Sequence, residues 1–129
     1  MKQLTVRSNH RQELIDITSQ VGDAIRGWDC SAVAVFVPHT TAGVLVNEHA
    51  DPDVARDILA ALDRMVPADG SYRHAEGNSP AHVKTTLVGT SQLLPIERGR
   101  LSLGTWQGVF LAEFDGPRSR LVLVVPLAS

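Results

Sequence analysis

Four short apolar runs, "SQLLPIE", "RLSLG", "WQGVFLAEF" and "RLVLVVPL", fill most of the final third of the chain. Glycine, proline and charged residues separate them, so this third reads as successive strands. "DGPR" between the last two is a turn, with Gly116 and Pro117 at its centre. Strands of this kind must bury a sheet face, and the rest of the chain has to cover it.

Upstream, residues 2–8 alternate loosely as a strand does, and "ELIDIT" puts Ile15 and Ile17 on one side of another. Ser19 is then placed to cap a short helix on which Val21, Ile25 and Trp28 have helical spacing, with Gly27 at its end. "SAVAVFVP" reads as a buried strand ending at Pro38, and "GVLVNEH" as the next. The clearest helix starts at Asp51, an N-cap followed by Pro52 and Asp53. Val54, Ile58, Ala61, Leu62 and Met65 form its apolar stripe, and Pro67 stops it. "AHVKTTLVG" gives a last helix ending at Gly89. Strands at both ends with a few helices between predict a single α+β domain over residues 1–129, with mixed or antiparallel sheets, rather than repeated βαβ units.

The chain's 129 residues suffice for a core without staples. The net charge is −2 with acids and bases interleaved, so no basic run supports a nucleic-acid face. Cys30 is the single cysteine, which rules out an intrachain disulfide and a cysteine-rich zinc site; its surroundings read as those of a buried, inert thiol. "MKQLTVRSNH" lacks the apolar core of a signal peptide, and "LVLVVPL" is too short to span a bilayer. No membrane association and a cytoplasmic location are expected.

Chemistry concentrates in "HAEGNSPAH". His74 and His82 on a continuous helix would lie about 12 Å apart along its axis, too far to share one ion. Gly77, Asn78 and Pro80 disfavour a helix interior, so a loop that folds back can bring the two rings together. His39 follows the end of a buried strand, and Thr40 and Thr41 beside it offer donors suited to an anion. His39, His74 and His82 would make a three-nitrogen metal site with an open position. His49 is a possible substitute, whereas His10 is remote. Asn47 and Glu48 close the next apolar run, and Glu48 is a candidate general base or a plain surface acid.

In "WQGVFLAEF", Gln107, Val109, Leu111 and Glu113 share one strand face, and Trp106, Gly108, Phe110, Ala112 and Phe114 share the other. A Gln and a Glu bracketing an apolar pair suit a strand whose ends line a cleft or a subunit contact, or one whose polar ends simply meet water. Arg118 and Arg120 are candidate phosphate ligands or solvated turn residues. No GxSxG, Walker A or dinucleotide glycine pattern is present.

"HTTAGVLVNEHADPDV", "YRHAEGNSPAHVKTTLVG" and "GRLSLGTWQGVFLAEFDGPRSR" together resemble the YjbQ family, whose members are often labelled secondary thiamine-phosphate synthases. The resemblance runs from about Thr5 to Leu127. It implies a small, typically homotrimeric α+β protein with a histidine-lined, metal-capable cleft. His39, His74 and His82 match the family's histidines as metal ligands. Glu48 and Glu76 become candidates to handle protons. Thr40, Thr41, Asn47, Asn78, Trp106, Gln107 and Glu113 fall on motif positions as candidate substrate contacts. Ser79 stands where an acidic residue is common. The implied reaction joins a pyrimidine diphosphate to a thiazole phosphate and releases pyrophosphate, which needs a divalent cation or positive groups on the departing diphosphate. Zinc suits imidazole ligands, and magnesium could arrive with the substrate. A small phosphorylated metabolite is the expected partner. The other reading is a non-catalytic trimer that holds a metal or metabolite.

Overall fold

The computed structural model describes residues 1–127. Eight strands and three helices follow one another as β1 (Lys2–Arg7), β2 (Glu13–Asp16), α1 (Thr18–Ala24), β3 (Ala32–Phe36), β4 (Ala42–Glu48), α2 (Pro52–Met65), α3 (Ser79–Val88), β5 (Ser91–Glu97), β6 (Arg100–Leu101), β7 (Gln107–Glu113) and β8 (Ser119–Leu127). They form a five-stranded sheet in the order β1-β8-β3-β5-β6 and a three-stranded sheet in the order β2-β7-β4. Every strand pairing is antiparallel. The fold is α+β, as the strand-rich ends require. Among the described residues no helix is long and apolar enough to cross a membrane.

Two apolar layers explain the arrangement. The larger joins Val6, Val33, Val35, Leu94, Val122 and Val124 of the five-stranded sheet to Val44, Val109 and Leu111 of the other, with Val21, Ala24 and Ile25 of the α1 region against them. Cys30 is half-buried at the edge of this layer rather than fully enclosed. The smaller layer sets Ala112 and Phe114 against Leu62 of α2 and Ala81 of α3, with Leu14, Leu45, Ile58, Leu59 and Val88 at its margin. β7 therefore buries both faces, and its central position between β2 and β4 follows from that continuous apolarity.

Local signals placed most boundaries. Asp51 caps α2 by accepting from the Asp53 N–H at 2.9 Å, with Pro52 in the first turn. Ser19, by contrast, lies inside α1. Asp16 takes over at that end, accepting from Thr18 N–H at 2.9 Å and from the Thr18 hydroxyl. Met65 is 66 % exposed and leaves the apolar stripe of α2, where Leu59 packs instead. α3 is anchored from below. Lys84 is buried, and its ammonium reaches both Asp63 of α2 and the Gln12 side chain at 2.5 Å. Lys84 is the main reason the Asp63 carboxyl sits below the usual range.

Gly43 lets β4 meet the end of α3. A side chain there would collide with the Gly89 carbonyl, which instead accepts the Val44 N–H at 3.1 Å. Leu111 lies fully buried in the larger layer. Leu111→Ala should cost about 2–5 kcal/mol, read as a lowered urea midpoint at unchanged slope.

Candidate functional site

The loop between β3 and β4 carries His39, Thr40 and Thr41, and a buried ion pair fixes its position. Glu113 is fully buried at the end of β7, and Arg120 is buried near the start of β8. The Arg120 Nε donates to Glu113 Oε1 at 2.8 Å, and its Nη2 reaches the other carboxylate oxygen. The same Nη2 donates to the Thr41 hydroxyl at 2.9 Å and the Thr41 carbonyl at 3.2 Å. Ser8 donates to Glu113 Oε1 at 2.7 Å, and the Asp115 N–H to Oε2 at 3.0 Å. Burial pushes the Glu113 carboxyl up, but Arg120, the Asp115 N–H and Ser8 outweigh it and hold it below the usual range.

One residue beyond Arg120, the Leu121 N–H donates to His39 Nε2 at 2.9 Å. A backbone N–H cannot accept, so Nε2 carries the lone pair and the proton of the neutral ring sits on Nδ1. Burial, then the charge of Arg120, lowers the His39 pKa, so the ring is neutral at pH 7. His39 thus presents an N–H donor.

His39 and Thr40 line a cavity of ≈ 360 Å³ with His82, Thr85, Thr86 and Thr90. Thr85 is buried, and its hydroxyl oxygen has no hydrogen-bond partner among the described residues. His82, half-buried on α3, also borders a second cavity of ≈ 450 Å³ lined by Tyr72, Arg73, His74 and Ser79. The His74 and His82 rings meet edge-on with centroids 5.1 Å apart, so the loop does fold back. Glu76 lies exposed, its carboxylate 3.8 Å from His74 Nε2. Asn78 donates to Asp115 at 2.9 Å, while its side-chain oxygen is buried without a partner among the described residues.

The expected residues divide into groups. His82 borders both cavities, His39 lines one and His74 the other, but among the described residues no three His, Cys, Asp or Glu side chains are grouped closely enough to hold a metal ion. Thr41 and Glu113 are not cavity walls: they are buried and engaged by Arg120. Arg120 is likewise a buried partner rather than a solvated turn residue. Arg118 stays exposed and pairs with Asp115 at 3.0 Å. Asn47, Glu48, Trp106 and Gln107 gather at the far end of β4, where Glu48 faces Gln107 across the ladder. A seven-residue strand, roughly 20 Å long, separates them from His39. At that end His49 Nδ1 lies 2.8 Å from Asp16 and its ring covers Gly108, where no side chain would fit.

A model of the family described as UPF0047 protein YjbQ-like matches residues 2–128. The chain belongs to the YjbQ-like UPF0047 family. A UPF0047 protein of Methanocaldococcus jannaschii is 50% identical over 118 residues, 89% of this chain and 85% of that one. YugU of Bacillus subtilis, another UPF0047 protein, is 46% identical over 123 residues, 93% of each chain. Among solved structures, an uncharacterised YjbQ/UPF0047 protein of Clostridium acetobutylicum superposes with a TM-score of 0.95 at 48% identity, covering 98% of this chain and 100% of the other. A conserved hypothetical protein of Thermus thermophilus gives 0.93 at 48% identity, with the same coverage. The family assignment and the fold rest on these agreements.

Sequence reasoning missed Thr85 and Thr86, although they stand three and four residues after His82, the spacing that shares a helix face. It also missed that Arg120 alternates in phase with Val122 and Val124, so a charge sits in an inward series and needs a buried partner.

Folding favours the ionised form of Glu113, so its stabilisation is complete above the unfolded value of about 4.3 and is lost as pH falls through the lower folded value. Glu113→Gln should lose about 3–5 kcal/mol at pH 7 by stranding Arg120. Its stability should then fall less steeply with acid than that of wild type, as urea unfolding from pH 7 to pH 3 will read.

Proposed function

We propose that the protein is an enzyme acting on a small phosphorylated metabolite, whose phosphate group enters the cavity beside His39. One observation carries this reading: Thr85, whose buried hydroxyl has no hydrogen-bond partner among the described residues, stands on a wall that also holds His39, Thr40, Thr86 and Thr90. A buried polar atom costs free energy unless something bonds to it. An anion's oxygens suit the His39 N–H and the threonine hydroxyls other than that of Thr86, which already donates to the His82 carbonyl at 2.9 Å.

The donor set fits a divalent metal ion in part. Two imidazoles on one tetrahedral ion, with bonds of 2.0–2.1 Å, have ring centroids roughly 5 Å apart. His74 and His82 meet that spacing. His39 does not join them as it stands, because its Nε2 is taken by Leu121 and its Nδ1 carries the proton. His74 and His82 would therefore hold the ion, with Glu76 beside His74. Nitrogen ligands favour zinc, and magnesium could enter with a diphosphate. Such an ion would supply Lewis-acid stabilisation of charge on phosphoryl oxygens. The protein's own part is to orient the phosphate through His39 and the threonines. The joining of a pyrimidine diphosphate to a thiazole phosphate is one reaction of this class.

Asn47, Glu48, Trp106 and Gln107 could serve the cavity only if a neighbouring copy supplied them, which is how a homotrimer would enter the reading. Neither Glu48 nor Glu76 lines the His39 cavity, and this favours a second reading, a trimer that binds metal or metabolite without turnover.

Thr85→Val should leave stability unchanged or raised, because it removes a buried hydroxyl without a partner. It should weaken inorganic phosphate binding roughly 2- to 10-fold by calorimetry. Equal affinity in both proteins would remove the phosphate reading. Purified protein should carry divalent metal by elemental analysis, and His74→Ala or His82→Ala should lose most of it; retention in both would defeat the metal assignment. Mass-spectrometric screening of phosphorylated metabolites separates the enzyme from the binder, since only the enzyme forms product.

A further inference from the structure

The hairpin joining β5 to β6 turns through Arg98 and Gly99, both with positive φ (53° and 77°). Such a turn normally takes Asn, Asp or Gly at its first central position, so an arginine there is held against its backbone preference. Arg100 follows on β6. Neither the Arg98 nor the Arg100 guanidinium has an ion-pair or hydrogen-bond partner among the described residues. Both line a cavity of ≈ 430 Å³ that Arg26 also borders. Asp23 on its wall is engaged with Arg26 at 2.9 Å, so three arginines share the lining with one acidic residue. Ile25 and Leu101 add an apolar portion to the wall. The same Arg98 and Arg100 also line a neighbouring cavity of ≈ 680 Å³, where Glu97 accepts from the Ser102 hydroxyl at 3.3 Å. A side chain built at Gly22 or Gly99 would meet nothing within 4 Å, so the approach is open.

We propose that this hairpin carries an anion site, separate from the histidine cavity, that takes the phosphate or diphosphate group of a small organic phosphate. Guanidinium forks match phosphate oxygens two at a time, and unneutralised arginines grouped on a chain of net charge −2 make a local positive field. The cavity volume falls in the range of small-molecule sites, and its apolar residues suit the organic body of the ligand. Neither cavity has an aromatic side chain on which bases could stack, which argues against a nucleic-acid strand. β5 begins next to Thr90, a wall of the histidine cavity, and ends beside Arg98. The two sites are therefore roughly 20 Å apart, the length of a seven-residue strand.

Inorganic pyrophosphate is the probe. Titrated into the full chain at low salt, it should shift the amide resonances of Gly22, Gly99, Arg100 and Leu101 along one isotherm. Arg98→Gly places the preferred residue in the turn, so it should fold at least as well as wild type, yet bind pyrophosphate at the hairpin at least threefold more weakly. The double variant Arg98→Ala, Arg100→Ala should weaken it at least tenfold. Hairpin shifts that persist unchanged in both variants, or shifts confined to Gly89 and Thr90 beside the histidine cavity, would overturn the site. A twelve-nucleotide single strand that displaces pyrophosphate and binds more tightly would overturn the small-ligand class.

Discussion

The buried pair of Glu113 and Arg120 holds the histidine side of the molecule in place. It joins β7 of one sheet to β8 of the other, and Ser8 and the Asp115 N–H complete the carboxylate. The Arg120 Nη2 that bonds the carboxylate also grips Thr41, while the next residue's N–H takes His39. A buried ion pair repays its desolvation only when every lone pair and proton is used, and here both carboxylate oxygens are. Its contribution is best described as geometric, for it sets the position and the tautomer of His39 together.

β4 sets the second constraint. His39 precedes the strand and His49 follows it, so two polar groups are held at opposite ends of one rigid element. At one end the threonines of α3 and His82 close around His39. At the other, Asp16 orients His49 over Gly108, and Trp106 lies 62 % exposed. The arginine hairpin sits at the end of the five-stranded sheet away from the histidines. Motif residues that read as one site along the chain are thus spread over two poles of a single copy.

Much of the fold was legible because its signals are local. Asp51 and Pro52 start α2, Gly89 ends α3, and Gly116 with Pro117 marks the turn before β8. The errors were also local in origin. Ser19 has a capping side chain, but Asp16 two residues earlier already serves the start of α1. Met65 has the right spacing, yet it lies exposed while Leu62 and Val66 on either side of it are buried. Glu113 shares a face with Gln107, which left a cleft, a subunit contact or water open for both ends; Gln107 meets solvent, and Glu113 meets Arg120 in the core.

By itself the sequence determined the α+β class, most of the elements and the family resemblance, and it allowed, without requiring, the return of the chain that brings His74 to His82. Those follow from periodicity, turn chemistry and helix breakers, all of which act over a few residues. Only the tertiary structure decided that His39 offers a proton rather than a lone pair, that Thr85 is buried without a partner, and that Trp106 and Gln107 lie a strand's length from His39. Each of these depends on which distant backbone groups and side chains become neighbours, and desolvation and hydrogen-bond direction are properties of that neighbourhood rather than of the residue.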